Sequence, residues 1–436
     1  MSKIRLHGSS SGYTEIAPVA ASGNNTLTLP DDGTILSKDA AGAVGVTSIK
    51  SSNVNVGAAV TITESGIEAS GIGITCANIN GTQIGGRRNI VINGAMNVAQ
   101  RGTSTTTNTD FGVDRFMSLF SGTDEAPTFA QHALTSSDTG PYAEGFRNSL
   151  HITNGNQTSG AGTNDYIAVD YRIEAQDIAN SGWNYTSSSS FITVSYWIKS
   201  SVAQNFYVTL KTEDGTSQNY GFETGSLSAN TWTKITKKIP GNSNLQFDNN
   251  NAEGLRFRFV AFRGTDKTSS SYTLNTWSAY SSSSRMPDNT STWYTTNDAT
   301  FEITGFQLEV GPEATPFEHR SYGEELDLCM RYFQQFVSGN NYQIGMGAYY
   351  ASNQLKCIVG FIKEMRSTPS VIQATGTNNY VFYRDSAADT FDSFGVEATD
   401  ERKTCLNSTD VSGTVGHGGI VRTYNADGRI DFSAEL

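Results

Sequence analysis

The stretch FQLEVGPEATPFEHRSYGEELDLCMRYFQQF, residues 306–336, gathers the groups best able to do chemistry. It holds six carboxylates (Glu309, Glu313, Glu318, Glu324, Glu325, Asp327), His319 and Cys329. A histidine among carboxylates could ligate a metal or relay a proton. The spacing argues for another role. Glu318 and His319 are adjacent, so in an extended chain their side chains point apart. Pro312 and Pro316 interrupt any continuous ladder of backbone hydrogen bonds. Nothing in the stretch has the spacing of H-E-x-x-H or of a calcium loop. It reads as a closing strand, a proline-bounded link and a capped helix. Glu309 falls on the outward side of the strand, and Glu313 and Glu318 fall in the link. Ser321 and Glu324 have the S-x-x-E spacing of a capping box. Glu324, Glu325 and Asp327 lie in the first helical turn, where the helix dipole favours negative charge. Leu326, Cys329, Met330, Phe333 and Phe336 follow at helical spacing.

Other candidates are sparser. His7, His132, His151 and His417 are scattered, and Cys76, Cys329, Cys357 and Cys405 show no CxxC spacing. The sequence therefore predicts no zinc site, no disulfide scaffold and reduced thiols. No nucleophile elbow, P-loop or dinucleotide fingerprint is present. The expectation is a protein without cofactor, metal or catalysis, although Asp and Glu from distant strands could still meet as a glycan-cleaving pair. Residues 271–298 place Trp277, Tyr280, Trp293 and Tyr294 among Ser, Thr and Asn. Rings flanked by small polar groups can stack on sugar faces while bonding hydroxyls, which makes these four the candidate glycan-binding residues. The alternative is that they plug the rim of a sandwich or line an interface between chains. Tyr349, Tyr350, Tyr380, Phe382 and Tyr383 form a second aromatic group, for which core packing is the first reading. Arg101, Asp114 and Arg115 read equally as a site or as an ion-paired brace between a domain and a shaft.

The elements that must position these residues are mostly strands. The chain has 436 residues, 43 glycines and only 17% charged residues. That mix suits short strands joined by turns. A net charge of −12 argues against a nucleic-acid partner. No apolar run reaches the ~18 residues of a membrane span, so no membrane insertion is expected. No signal-peptide core opens the chain, so ordinary secretion is not expected to carry it. Residues 1–35 hold short alternating pieces. Residues 36–85 alternate small β-branched residues such as Val54, Val56, Ile72 and Ile74 with glycines, too thin to fold alone. Three copies wound together would bury the alternate positions, whereas a single one would be a flexible linker. Residues 86–320 carry about eight strand signals, among them FITVSYWIK (191–199), WTKITKKI (232–239), GLRFRFVAF (254–262) and ATFEITGFQLEV (299–310). These predict a two-sheet jelly-roll sandwich. Within the last of them, Phe301 and Ile303 face inward and Glu302 and Thr304 outward. The helix belongs to a linker over 321–338, and residues 339–436 return to strands as a small C-terminal β domain.

The sequence also carries a resemblance. NIVINGAMNVAQRG (89–102) followed by FGVDRFMS (111–118) resembles the motif that opens a carbohydrate-binding-module-like jelly roll in bacteriophage tail-fibre proteins, with Phe116 where a tryptophan is usual. FQLEVGPEATPFEHR resembles the closing strand of that domain. CMRYFQQF and FIKEMRSTPSV (361–371) resemble the pattern that follows it, and GYTEIAPVAASGNNTLTLPDDG resembles the start of fibre-like virion proteins of marine phages. The resemblance implies an all-β homotrimer that joins the virion, most readily the tail, through its N-terminal segment and other virion proteins. Its C-terminal β domains would meet a host surface glycan or other receptor. Two alternatives stay open: a structural virion protein without receptor, and a polysaccharide-degrading tailspike.

Overall fold

The computed structural model describes the backbone of Ile4–His7 and Tyr13–Ile16 and all of residues 87–436. The chain divides into two compact units, Met1–Ile74 and Thr75–Leu436. In the first, β1 (Ile4–His7) and β2 (Tyr13–Ile16) pair antiparallel, with Ile4 opposite Ile16. The shaft expected over 36–85 and the rest of the attachment segment expected over 1–35 lie outside the described residues. What is described is nearly all β, as the composition predicts.

In the second unit the chain first builds a sandwich. Its strands are β3 (Ser104–Thr105), β4 (Phe116–Ser121), β5 (Thr128–Ala133), β6 (Asn148–Thr153), β7 (Tyr166–Glu174), β8 (Phe191–Ser200), β9 (Asn205–Thr212), β10 (Gln218–Ser226), β11 (Thr233–Pro240), β12 (Glu253–Arg263), β13 (Ser278–Ala279) and β14 (Thr300–Val310). They form two six-stranded antiparallel sheets, ordered β13-β10-β9-β12-β7-β4 and β11-β8-β14-β6-β5-β3. Helices α1 (Ala175–Ala179) and α2 (Thr292–Thr295) sit in the connections. Period-2 alternation decides which faces meet. Leu255, Phe257 and Phe259 of β12 point into the core shared with the other sheet, while Arg256 and Arg258 point out. Phe259 meets Tyr196 edge to face at 5.1 Å, and Phe206 meets Phe301 at 5.1 Å, so rings from both sheets interlock.

The opening motif packs against an irregularity in β14. A bulge falls between Thr304 and Gln307, with Gly305 at φ +65°. The bulge turns both Phe306 and Leu308 into the core. Residues 89–94 run beside it: Leu308 N–H donates to Asn89 Oδ1 at 3.0 Å and Phe306 N–H donates to Gly94 O at 2.9 Å. A Cβ on Gly94 would lie 2.0 Å from Phe306 O, so only glycine fits there.

The predicted helix forms as α3 (Tyr322–Cys329), with Ser321 and Glu324 capping each other as the spacing requires. It is shorter than the 321–338 segment expected. Phe333 and Phe336 belong instead to β15 (Phe333–Ser338), whose backbone groups pair with the last strand; tertiary pairing overrides the helical spacing. The C-terminal domain continues with β16 (Gln343–Ala351), β17 (Gln354–Gly360), β18 (Ser370–Gln373), β19 (Tyr380–Arg384), β20 (Ala387–Phe391), β21 (Gly395–Thr399), β22 (Lys403–Ser408), β23 (Gly418–Thr423) and β24 (Arg429–Ser433). They make a three-stranded sheet, β15-β24-β18, and a seven-stranded sheet, β20-β19-β23-β16-β17-β22-β21, around a core of their own.

Buried charges tie this domain to the sandwich. Arg115, 3% exposed, pairs with Glu435, donates to Arg172 O at 2.7 Å and lies 3.4 Å from the Tyr332 ring centre. Arg101 bonds Glu435 at 3.0 Å and stacks on Phe333 at 3.6 Å. Gln100 links Asp114 at 2.5 Å and the Phe333 carbonyl at 2.9 Å. Glu174, fully buried, accepts a forked pair from Arg331 at 2.7 and 2.8 Å and the Tyr332 hydroxyl at 2.6 Å. Arg101, Asp114 and Arg115 are thus a brace, and the partner is the C-terminal domain.

Candidate functional site

Five of the six acids of 306–336 bond other parts of the fold, and two sit deeper than the sequence suggests. Glu309 is 1% exposed. It accepts from Thr315 N–H at 2.8 Å and Thr315 Oγ1 at 2.6 Å, folding the proline link back over the strand. Glu318 accepts from the backbone N–H groups of Arg88 and Asn89 at 2.7 and 2.6 Å. Glu325 is buried and accepts from Asn93 N–H at 2.5 Å, with Arg320 at 3.3 Å. His319 Nε2 bonds the Glu144 carbonyl at 2.8 Å, and its ring packs on Phe146 and Phe317. Glu302 and Thr304 do point away from the sandwich core. Both are nonetheless buried, because the covering layer that holds Leu134, Phe146 and Trp232 lies on that side of the sheet.

Three of the four candidate glycan-binding rings are core residues. Trp293 is fully buried, donates Nε1–H to Thr300 O at 2.9 Å and meets Phe301 edge-on. Tyr294 is buried, lies 4.4 Å from Phe262 and bonds Asp165 at 3.1 Å. Trp277 is 7% exposed and donates to Pro240 O at 2.7 Å. None keeps a free face for a sugar. Their indole N–H groups find backbone carbonyls, which is why aromatic residues among polar neighbours can be interior. Tyr280 differs: it is half-buried at the outer face of the first sheet, with Lys211 4.5 Å from its ring centre.

Tyr280 lines a pocket of about 190 Å³ with Thr209, Lys211, Asn219, Arg256, Arg258 and Arg285. Strand register builds its floor. Asn219 pairs with Lys211, Lys211 with Arg256 and Arg256 with Arg172, a row with three adjacent cations. Like charges directly opposite repel, and acids offset the repulsion. Asp170, fully buried, takes a forked pair from Arg258 at 2.5 and 2.6 Å. Burial pushes the Asp170 carboxyl up, but Arg258, Arg256 and Arg172 bring it below its ordinary range. Glu253 holds Arg256 at 2.6 Å, and Glu213 holds Lys211 at 2.7 Å and Arg256 at 3.0 Å. Arg285 in the pocket lining and Arg263 near it have no acidic partner among the described residues. The Arg285 guanidinium donates only to Ser282 O, at 3.1 Å. Arg263 is 3% exposed, and burial with the nearby Arg258 and Arg285 draws it down to about 9, still protonated at neutral pH.

The second aromatic group also divides. Tyr349, Tyr380 and Phe382 are core, while Tyr350 and Tyr383 are exposed. Tyr383 begins an apolar row across the seven-stranded sheet. It pairs with Ile420, and Ile420 with Met346; Ile358 pairs with Cys405, and Cys405 with Ala398. Met346 and Ile358 are 77% and 70% exposed. Contiguous apolar surface of this kind marks interaction sites more often than single exposed side chains do.

No protein-family model matches the sequence, and no curated protein does. Solved structures give remote likenesses. The enzymatically active domain of bacteriophage CBA120 tailspike protein 4 aligns over 51% of this chain at 8% identity and TM-score 0.27. The alignment spans 21% of that chain, about a fifth of its length. The CBM22-1-CBM22-2 tandem domain of Paenibacillus barcinonensis Xyn10C aligns over 73% of this chain and 93% of its own, at 8% identity and TM-score 0.22. The family 11 carbohydrate-binding module from Clostridium thermocellum, in complex with a mixed-linked tetrasaccharide, aligns over 49% and 98%, at 13% identity and TM-score 0.23.

Two groupings escaped the sequence. The pocket draws on four separate segments, so no local motif announces it; Tyr280 and the R-x-R of 256–258 are its visible traces. His132, His151 and Glu302 also come together, 170 residues apart at the extremes. Only the register of β5, β6 and β14 reveals that.

Proposed function

We propose that the protein is a non-catalytic phage virion fibre whose sandwich binds an acidic saccharide of a host surface at the pocket floored by Arg256 and Arg258. The observation that carries the saccharide reading is the pocket's composition. Arg285, whose guanidinium has no acidic partner among the described residues, converges there with Lys211, Asn219, Thr209 and the Tyr280 ring above the paired Arg256 and Arg258, on a chain of net charge −12. Arg suits bidentate recognition of carboxylate or sulfate. The volume is below the ~300–1,000 Å³ usual for whole small-molecule ligands, so the pocket would take one charged unit of a longer glycan. The phage reading rests on the opening motif and the N-terminal resemblance, which also put virion attachment at the N-terminal segment. The homotrimer draws support from the exposed apolar row on the C-terminal sheet, which other copies of the chain would cover.

Binding of the full chain to polygalacturonate, with a neutral glucan as control, tests the saccharide reading. The expected result is binding to the uronate alone, weakened at least tenfold in Arg285→Ala at unchanged melting temperature. Equal binding of the neutral glucan, or an unaffected variant, overturns it. New reducing ends on the polymer would overturn the non-catalytic part. Sedimentation should give three times the chain mass, falling in Met346→Glu/Ile358→Glu; a monomer in the unmodified protein overturns the trimer.

A further inference from the structure

We propose that His132, His151 and Glu302 bind a zinc-class divalent cation on the outer face of the second sheet. The argument starts from strand register. His151 of β6 lies directly opposite Glu302 of β14, and Ala130 of β5 lies opposite His151 on the other side. His132 is two residues along β5, on the same face, opposite Ser149. The three side chains therefore converge without any distortion of the sheet, and their ligand atoms all fall within 4.8 Å of one another.

The distances suit a metal better than they suit direct bonding. His132 Nδ1 and His151 Nδ1 each lie 3.4 Å from a Glu302 oxygen, too far for a strong hydrogen bond. A tetrahedral centre with bonds of about 2.0–2.1 Å separates neighbouring ligands by roughly 3.4 Å. His151 Nδ1 is buried and has no hydrogen-bond partner, which is unusual for an interior polar atom. Ser149 Oγ donates to Glu302 Oε2 at 2.9 Å and so orients the carboxylate from behind, the support that metal-ligating carboxylates generally have. His132 is half exposed, so solvent reaches the site and a fourth position stays open. Two imidazole nitrogens with one carboxylate favour Zn²⁺, Co²⁺ or Ni²⁺ over Ca²⁺ and Mg²⁺, which prefer all-oxygen sites.

One group opposes the cation. Lys199 Nζ lies 2.8 Å from Glu302 Oε1. It also lies 3.1 Å from Asp138 Oδ1, which Trp232 Nε1–H holds in place at 3.0 Å. A cation arriving at Glu302 would shift Lys199 fully onto Asp138, and the affinity is lowered by that competition. The two sets of variants therefore move in opposite directions. With the metal-stripped full chain, titration calorimetry with Zn²⁺ at neutral pH should show one site per chain, and Co²⁺ should give the visible bands of a tetrahedral centre. His132→Ala and His151→Ala should each weaken Zn²⁺ binding at least tenfold. Lys199→Met should tighten it. Because His132 is half exposed, His132→Ala should keep the melting temperature of the unmodified metal-free protein, which separates lost ligation from lost folding. Absence of stoichiometric Zn²⁺ binding, or binding that survives in the His132→Ala/His151→Ala double variant, overturns the assignment.

Discussion

Asp431 sits in the middle strand of the three-stranded sheet, fully buried, with its carboxylate on Arg429 and its Oδ1 without a hydrogen-bond partner. Burial raises its carboxyl from 3.8 to about 6, against the opposing pull of Arg429 and Arg101. The sign of the consequence follows from linkage. The folded state binds the proton more readily than the unfolded chain between about pH 4 and pH 6, so stability falls as pH rises through that window. Roughly two pKa units at 1.36 kcal/mol each set the cost at about 3 kcal/mol above pH 7. Asp431→Asn keeps the volume and an acceptor for Arg429, which is one-third exposed and can turn to water. Urea unfolding of both proteins at pH 4.5 and pH 8 is the assay. The variant should be more stable than the unmodified protein by about 1–3 kcal/mol at pH 8, with the difference vanishing near pH 4. Comparing the two cancels every other titrating group. A variant equally or less stable at pH 8 would refute the reasoning, because the buried charge would then have been a net gain.

Three further outcomes follow from the packing. Glu435→Gln strands Arg115 inside the brace, and unfolding free energy should drop by about 3–5 kcal/mol; denaturant titration checks this, and a loss below about 1 kcal/mol would show the brace to be slack. Trp293→Ala should cost about 3–5 kcal/mol by thermal or chemical unfolding while leaving saccharide affinity of the folded protein intact. Ser321→Ala removes the cap of α3 and should cost about 1 kcal/mol, read in the same way.

Much of the fold was legible because alternation fixes faces. The runs at 191–199, 232–239, 254–262 and 299–310 became β8, β11, β12 and β14 within a residue or two, and the capping box formed as spelled out. What the period could not show was the layer outside each sheet. Glu302 and Thr304 alternate as solvent-facing residues do, yet a loop some 150 residues earlier in sequence covers them. The same blindness misplaced Trp293 and Tyr294. Their polar neighbours suggest surface, while burial was decided by carbonyls and carboxylates from other segments that accept their N–H and O–H groups. Of the four candidate rings only Tyr280 reaches a pocket, and the arginines beside it stand at alternate positions of the 254–262 run, where a period of two marks an outward face and not a site. Charge rows and histidine clusters depend on register, and register between non-consecutive strands is a property of the folded sheet.

The brace has a consequence for how such chains change over generations. The opening motif and Glu435 are 320 residues apart at Arg115 and 334 at Arg101, yet they are one electrostatic unit. A recombination event that replaced residues 330–436 with those of another chain would leave Arg101, Arg115 and Glu174 facing strangers. Exchange is tolerated only if the incoming segment brings its own Arg331, Tyr332 and Glu435. Inheritance of the C-terminal domain is therefore conditional on the sandwich it arrives at, and the two halves should travel through populations as a pair.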